Sequence, residues 1–363
     1  MTTAHVCIGL LGALTCVTAA DPAPSTAAPF RLIHTRNAET LGRDLQSAAG
    51  AGYRVLAASQ GSTLDGKPLI VVLLQLASPT QGRYEYAVLA SAGDLEDETT
   101  RREMNALGAQ GYSLATGNLV ARRIEDFWLP PAAYDAQLTL ILERSTYSRR
   151  FTYDSIRFNE FEAFHERLAQ RRGEGYEVLA LVNSARRVRA VLGKPLDDAA
   201  GSPDVGPRRY RLLLNARNRG LAHALKRAGA RGYRAIAAAD PSINAPAMVL
   251  VERAAEAPGA YGYRVLTHPL RRHRRGRLQH KLNRITERGY RVAPGSSTNS
   301  ALLLEREPQS RHGWVYRIAA SGEAPGLPRA LDDATREGYR FVKMLVDADV
   351  TIVLLERAVV LRR

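Results

Sequence analysis

The pair Gly-Tyr occurs six times in this chain, at Gly52-Tyr53, Gly111-Tyr112, Gly175-Tyr176, Gly232-Tyr233, Gly289-Tyr290 and Gly338-Tyr339, at intervals of 59, 64, 57, 57 and 49 residues. A near-constant period means one small unit used repeatedly, and missing it would mis-call the whole fold. Eleven, seven and four residues before each Gly, the side chains are mostly apolar. They are Leu41, Leu45 and Ala48 in the first unit, Leu221, Leu225 and Ala228 in the fourth, Leu278, Leu282 and Ile285 in the fifth, and Leu327, Leu331 and Ala334 in the sixth. The second unit has Thr100, Met104 and Leu107, and the third has Phe164 and Leu168 followed by Arg171. Steps of four and three put these positions on one face of a helix of about three turns. The Gly suits the left-handed residue that ends such a helix, because it has no Cβ to clash.

Strand-like segments flank each helix. Before it lie Phe30 to His34, Tyr84 to Leu89, Phe151 to Ile156, Tyr210 to Leu214, Tyr263 to Leu266 and Trp314 to Ile318, all rich in aromatic and β-branched residues. After it come segments such as Tyr53 to Leu56, then a second apolar run. Four of these runs end in Glu-Arg, at Glu143-Arg144, Glu252-Arg253, Glu305-Arg306 and Glu356-Arg357. The fold class is therefore α+β, six tandem βαββ modules with small antiparallel sheets. The boundaries fall at 30–77, 83–145 (with an insertion at 118–136), 150–206, 208–254, 260–307 and 313–358. A unit of this size buries too little surface to stand alone, which predicts shared cores, in three pairs or in a compact array. The Glu-Arg pairs read as strand ends with one exposed cross-strand ion pair each, worth under about 1 kcal/mol. The six Tyr read as core or edge aromatics holding strand to helix.

Residues 1–20 read as a secretory signal, with an apolar stretch from Val6 to Ala20, followed by a linker at 21–29. Export to a periplasm or beyond is the expectation, although no Lys or Arg precedes the apolar stretch. Both cysteines, Cys7 and Cys16, fall inside it, so the mature chain would hold no disulfide, thiol nucleophile or Cys metal site.

The net charge of +15 is concentrated. Residues 207–256 carry 10 basic against 3 acidic side chains and residues 257–309 carry 11 against 3, a surplus equal to that of the whole chain. Its densest part holds Arg271, Arg272, Arg274, Arg275 and Arg277, continuing with Lys281 and Arg284 on the fifth helix. Clustered Arg contacts phosphate or sulfate groups and releases their counterions. In an exported chain the partners would be anionic envelope polymers or lipid headgroups rather than nucleic acid. The competing reading is compositional: of 51 basic residues only 5 are Lys, a bias towards Arg that raises charge everywhere.

Catalytic and metal motifs give no lead. Gly61 to Lys67 has phosphate-loop spacing, but Pro68 stands where Ser or Thr must hold the metal, and the segment sits between two strands. The eight His lack metal spacing, and no cofactor or metal is expected. The leading expectation is a non-catalytic binding or scaffolding protein. The alternatives are a hydrolase or small-ligand enzyme with a site between modules or in the 118–136 insertion, and a purely structural envelope protein. The acidic run Asp94, Glu96, Asp97 and Glu98 serves the start of the second helix.

The units resemble a small bacterial family of domains of unknown function. The resemblance rests on Tyr84 to Leu89 with Gly111-Tyr112 and Leu140 to Arg144, on Tyr263 to Leu266 with Gly289-Tyr290 and Leu302 to Arg306, and on Trp314 to Ile318 with Gly338-Tyr339 and Leu354 to Arg357. That family usually has Trp where this chain has Tyr, and one unit per chain. The resemblance implies a fold and carries no catalytic residues.

Overall fold

Every Gly of the six pairs has a positive φ, between 79° and 91°, and each closes a helix and opens a strand. The left-handed turn lets the following Tyr N–H return to a helix carbonyl, as in Tyr112 to Leu107 (3.0 Å) and Tyr233 to Ala228 (3.1 Å). In the computed structural model, residues 28–360 are described except 63–67, 79, 81, 92–96, 116–137, 159–160, 185–186, 198–208, 215–217, 240–247, 254–258, 268–274, 294, 298–300, 309, 311, 322–325 and 348–349. The expected signal segment, the expected insertion at 118–136 and Arg271, Arg272 and Arg274 therefore lie outside the described residues.

Module 1 comprises β1 (Phe30–Thr35), α1 (Ala38–Gly50), β2 (Tyr53–Ser62) and β3 (Pro68–Leu76); module 2 comprises β4 (Tyr84–Ser91), α2 (Glu98–Ala109), β5 (Ser113–Leu114) and β6 (Leu138–Ser145). Module 3 has β7 (Phe151–Arg157), α3 (Phe161–Gly173), β8 (Glu177–Ser184) and β9 (Arg187–Pro195); module 4 has β10 (Arg209–Leu214), α4 (Asn218–Ala230), β11 (Arg234–Ala239) and β12 (Met248–Arg253). Module 5 has β13 (Gly262–Thr267), α5 (Arg275–Thr286), β14 (Arg291–Val292) and β15 (Ala301–Arg306); module 6 has β16 (His312–Ala320), α6 (Leu327–Arg336), β17 (Arg340–Asp347) and β18 (Val350–Val360). The helix stripe is buried as the spacing predicts, with Leu41, Leu45 and Ala48 fully enclosed in α1. Asp97 caps α2 by accepting from the Thr100 N–H at 3.1 Å.

In each three-stranded sheet the last strand lies in the middle, antiparallel to both neighbours. A central strand alternates its side chains between two faces, and here both faces are apolar. In β3, Val72 and Leu74 meet α1, while Val71 and Leu73 meet α6. The same division recurs throughout. The core around α1 takes in Tyr84, Tyr86 and Ile141 of module 2, and the core around α2 takes in Tyr153 and Val191 of module 3. The α3 core reaches Leu212 and Leu250, the α4 core Tyr263 and Leu303, and the α5 core Tyr316 and Leu354. Last, the α6 core reaches back to Phe30, Val71 and Leu73 of module 1.

The six modules thus form a closed head-to-tail ring rather than three isolated pairs. A two-faced apolar sheet needs a partner on each side, which a pair cannot supply, and a heterologous contact that closes generates a ring. Two junctions differ from the rest: between modules 3 and 4, β8 lies against β11, and between modules 6 and 1, β2 lies against β17. Among the described residues no helix is long and apolar enough to cross a membrane.

Candidate functional site

The first strand of each module is a sheet edge, with unpaired backbone groups that must find partners. The helix of the preceding module supplies them. Gln46 Nε2 donates to the Tyr86 carbonyl at 2.5 Å, and Asn105 Oδ1 accepts from the Tyr153 N–H at 2.5 Å. Asn283 Oδ1 accepts from the Tyr316 N–H at 2.6 Å, and Gln279 Oε1 from the Ile318 N–H at 3.1 Å. At the junction of modules 3 and 4, His165 Nε2 accepts from the Leu212 N–H at 3.0 Å, which fixes the imidazole proton on Nδ1.

A Tyr on that edge strand completes the junction. Tyr86, Tyr263 and Tyr316 each accept from a backbone N–H of the preceding module, from Val55 (2.7 Å), Ala235 (2.8 Å) and Val292 (2.8 Å) respectively. In β2 and β11 that N–H flanks a β-bulge, where the ladder is interrupted and leaves a donor to be satisfied. Each Tyr then donates to the Glu of a Glu-Arg pair in its own module: Glu143 (3.0 Å), Glu305 (2.8 Å) and Glu356 (2.8 Å). The Arg after Gly-Tyr in the preceding module reaches the same carboxylate, with Arg54 to Glu143 at 3.3 Å, Arg234 to Glu305 at 3.0 Å and Arg291 to Glu356 at 2.8 Å.

These carboxylates correct the expectation of exposed cross-strand pairs. Glu143, Glu305 and Glu356 are buried, and their ion pairs cross between modules; Glu356 also pairs within its own module, with Arg340 at 2.9 Å. The neighbouring Arg points to the opposite face and packs on the Gly-Tyr ring, as Arg144 does over Tyr112 (4.9 Å), Arg306 over Tyr290 (5.3 Å) and Arg357 over Tyr339 (4.8 Å). Tyr53, Tyr112, Tyr233 and Tyr290 are buried, and Tyr176 and Tyr339 partly so, consistent with core and edge aromatics. Burial raises the hydroxyl pKa of Tyr86, Tyr263 and Tyr316 far above its usual value, so they remain neutral donors. Burial also raises Glu143 and Glu305, opposed by Arg54 and Arg234. These titratable groups are engaged in holding modules together.

The phosphate-loop spacing at Gly61 to Lys67 falls between β2 and β3, with residues 63–67 outside the described residues, and the element that follows is a strand rather than the helix a phosphate loop needs. No three His, Cys, Asp or Glu side chains among the described residues come together in a way that could hold a metal ion.

The basic stretch behaves differently. Arg277, Lys281, Arg284 and Arg288 follow one another at steps of four, three and four on α5 and the turn after it, opposite the buried Leu278 and Leu282. All four are exposed, and none has a carboxylate partner among the described residues. In the other five modules the helix lies close against its own first strand; α5 lies less closely against β13, although Leu266 of β13 packs in one core with Leu278 and Leu282. Beside them is a cleft of about 480 Å³ bordered by Arg264, His280, Lys281, Arg284 and Arg288, with Leu266, Ile285 and Tyr290 beneath them. Of the residues expected at a basic site, Arg277, Lys281 and Arg284 are on this face. Arg275 opens α5, and Arg271, Arg272 and Arg274 are outside the described residues. Arg264 and Arg288 were not foreseen. Arg288 continues the helical stripe four residues past Arg284 and was legible in the spacing; Arg264 depends on the packing of β13. No protein-family model matches the chain, and no curated protein is detectably similar to it.

Proposed function

We propose that the chain is an exported, non-catalytic repeat protein that binds anionic polymers or anionic headgroups through module 5. The observation that carries this reading is the cationic face itself. Lys281, Arg284 and Arg288 on one side of a cleft and Arg264 on the other are exposed without carboxylate partners among the described residues, while nearly every junction Arg is paired. Unpaired Arg spread by composition alone has no reason to converge on the rim of one cleft. The rest of the ring acts as a rigid scaffold for that face, and the resemblance to small bacterial domains of unknown function supports the architecture without adding an activity.

The test is retention of residues 21–363 on immobilised heparin over a salt gradient, beside a variant carrying Arg264→Glu, Lys281→Glu, Arg284→Glu and Arg288→Glu. Neutralising four phosphate or sulfate contacts gives a steep, near-linear fall of log affinity with log salt. Loss of retention in the variant, with an unchanged circular dichroism spectrum, is the expected result. Equal retention by both proteins would refute the reading.

A further inference from the structure

The module 5 cleft is layered by chemistry. Arg264, Lys281, Arg284 and Arg288 are exposed at its rim, whereas Leu266 and Tyr290 are buried and Ile285 is half-buried below them. A site for a polymeric anion alone needs only the rim, because phosphates and sulfates stay at the surface where they keep their water. The floor goes beyond what that reading needs: Leu266 and Tyr290 belong to the α5 core together with Leu278 and Leu282, and Ile285 packs against that core where it borders the cleft.

We infer that this cleft takes an anionic amphiphile, a phosphate or carboxylate headgroup bearing a short alkyl or acyl chain, with the headgroup held at the Arg264, Arg284 and Arg288 rim and the chain lying on Leu266, Ile285 and Tyr290. The inference rests on the anion-binding reading of the same site and narrows it. A volume of about 480 Å³ is within the range of small-molecule sites. It holds roughly sixteen groups of water size, enough for the about thirteen heavy atoms of octyl phosphate. Arg suits such a headgroup because its planar fork can hold two oxygens at once. Arg264 is already oriented: its guanidinium lies 5.9 Å from the centre of the Tyr290 ring, whose other neighbour is Arg306.

The experiment is calorimetric titration of residues 21–363 with inorganic phosphate, butyl phosphate, hexyl phosphate and octyl phosphate, each below its micelle-forming concentration, and with octanol as an uncharged probe. Burial of a methylene should raise affinity about fourfold per carbon along the series. Octanol should bind far more weakly than octyl phosphate, and Arg284→Glu with Arg288→Glu should remove the difference. Ile285→Gln should flatten the chain-length series while leaving heparin retention intact. If affinity is independent of chain length while heparin retention remains salt-dependent and sensitive to the rim Arg, the amphiphile inference fails and the anion reading stands. If octanol matches octyl phosphate, the headgroup assignment fails. If no phosphate binds and heparin retention is insensitive to the rim Arg, both fail.

Discussion

Tyr316 and Glu356 face each other across β16 and β18, both with no exposed surface, and the Tyr hydroxyl donates to Glu356 Oε2 at 2.8 Å. The same hydroxyl accepts from the Val292 N–H of module 5, and the same carboxylate receives Arg291 of module 5 and Arg340 of module 6. One residue pair therefore terminates a sheet edge, satisfies a neighbouring module's backbone and neutralises two guanidiniums.

Removing either partner should expose that dependence. Tyr316→Phe leaves a buried N–H and a buried carboxylate short of a partner, which costs about 1–3 kcal/mol. Glu356→Ala leaves the buried Tyr316 hydroxyl without its acceptor, while Arg291 and Arg340 keep part of their water, and should cost about 1–3 kcal/mol. Urea denaturation of both variants and of the double variant checks this. Non-additivity of the two losses is the expected signature of a single network, and strict additivity would count against it.

Two glycine replacements should move stability in opposite directions. At Gly229 a Cβ would lie 2.3 Å from the Tyr261 carbonyl oxygen, where α4 touches module 5, so Gly229→Ala should destabilise by about 1–3 kcal/mol. Gly276 sits in α5, where a methyl group would meet nothing within 4 Å, and Gly276→Ala should stabilise by about 0.4–1 kcal/mol. Thermal melts of the two variants decide the signs.

The buried junction carboxylates predict a pH dependence. Burial raises the Glu143 carboxyl above its ordinary value of 4.5, so the folded chain holds this proton to higher pH than the unfolded chain. The stabilisation that results is complete below about pH 4.5 and is lost as pH rises through the folded value. The stability of the natural chain relative to Glu143→Gln should therefore fall as pH rises above about 4.5 in a denaturation series. A relative stability that instead rises with pH would mean that the Arg54 ion pair outweighs burial.

Ring closure predicts uniform protection. A linear array frays from its terminal repeats, because those units have one neighbour instead of two. Here α6 covers Val71 and Leu73 of module 1, so the first and last modules are enclosed like the others. Hydrogen exchange should find the β3 and β18 amides as slow as those of β9 and β12. Early exchange confined to modules 1 and 6 would argue against closure in solution.

Much of the module was legible in the sequence. The apolar positions eleven, seven and four before each Gly define the helix face, and a residue without Cβ marks the left-handed stop, because both are local consequences of backbone geometry. The ring was partly legible too: Ile70 to Leu74 and Ile352 to Leu355 are uninterrupted apolar runs, which require cover on both faces of a central strand. The polar residue six positions before Gly, present as Gln46, Asn105 and Asn283, was a readable signal for a capped edge strand. The burial of Glu143, Glu305 and Glu356 was not readable, because their partners Arg54, Arg234 and Arg291 lie 89, 71 and 65 residues earlier in another module. The cleft was not readable either, since it depends on how α5 packs against β13.

An open stack of repeats can lengthen by one copy and move its end unit outward. A circle of six has no such freedom, because losing one copy or adding a seventh would change the angle at every remaining contact. Gain or loss of a single unit would therefore have to be absorbed at every contact, whereas divergence of a copy where it stands leaves the ring intact. Gly193 and Gln75, at the places where other copies carry the junction Glu, are the marks of that divergence. The cleft in the fifth copy is another, acquired by one member of a set whose number is fixed.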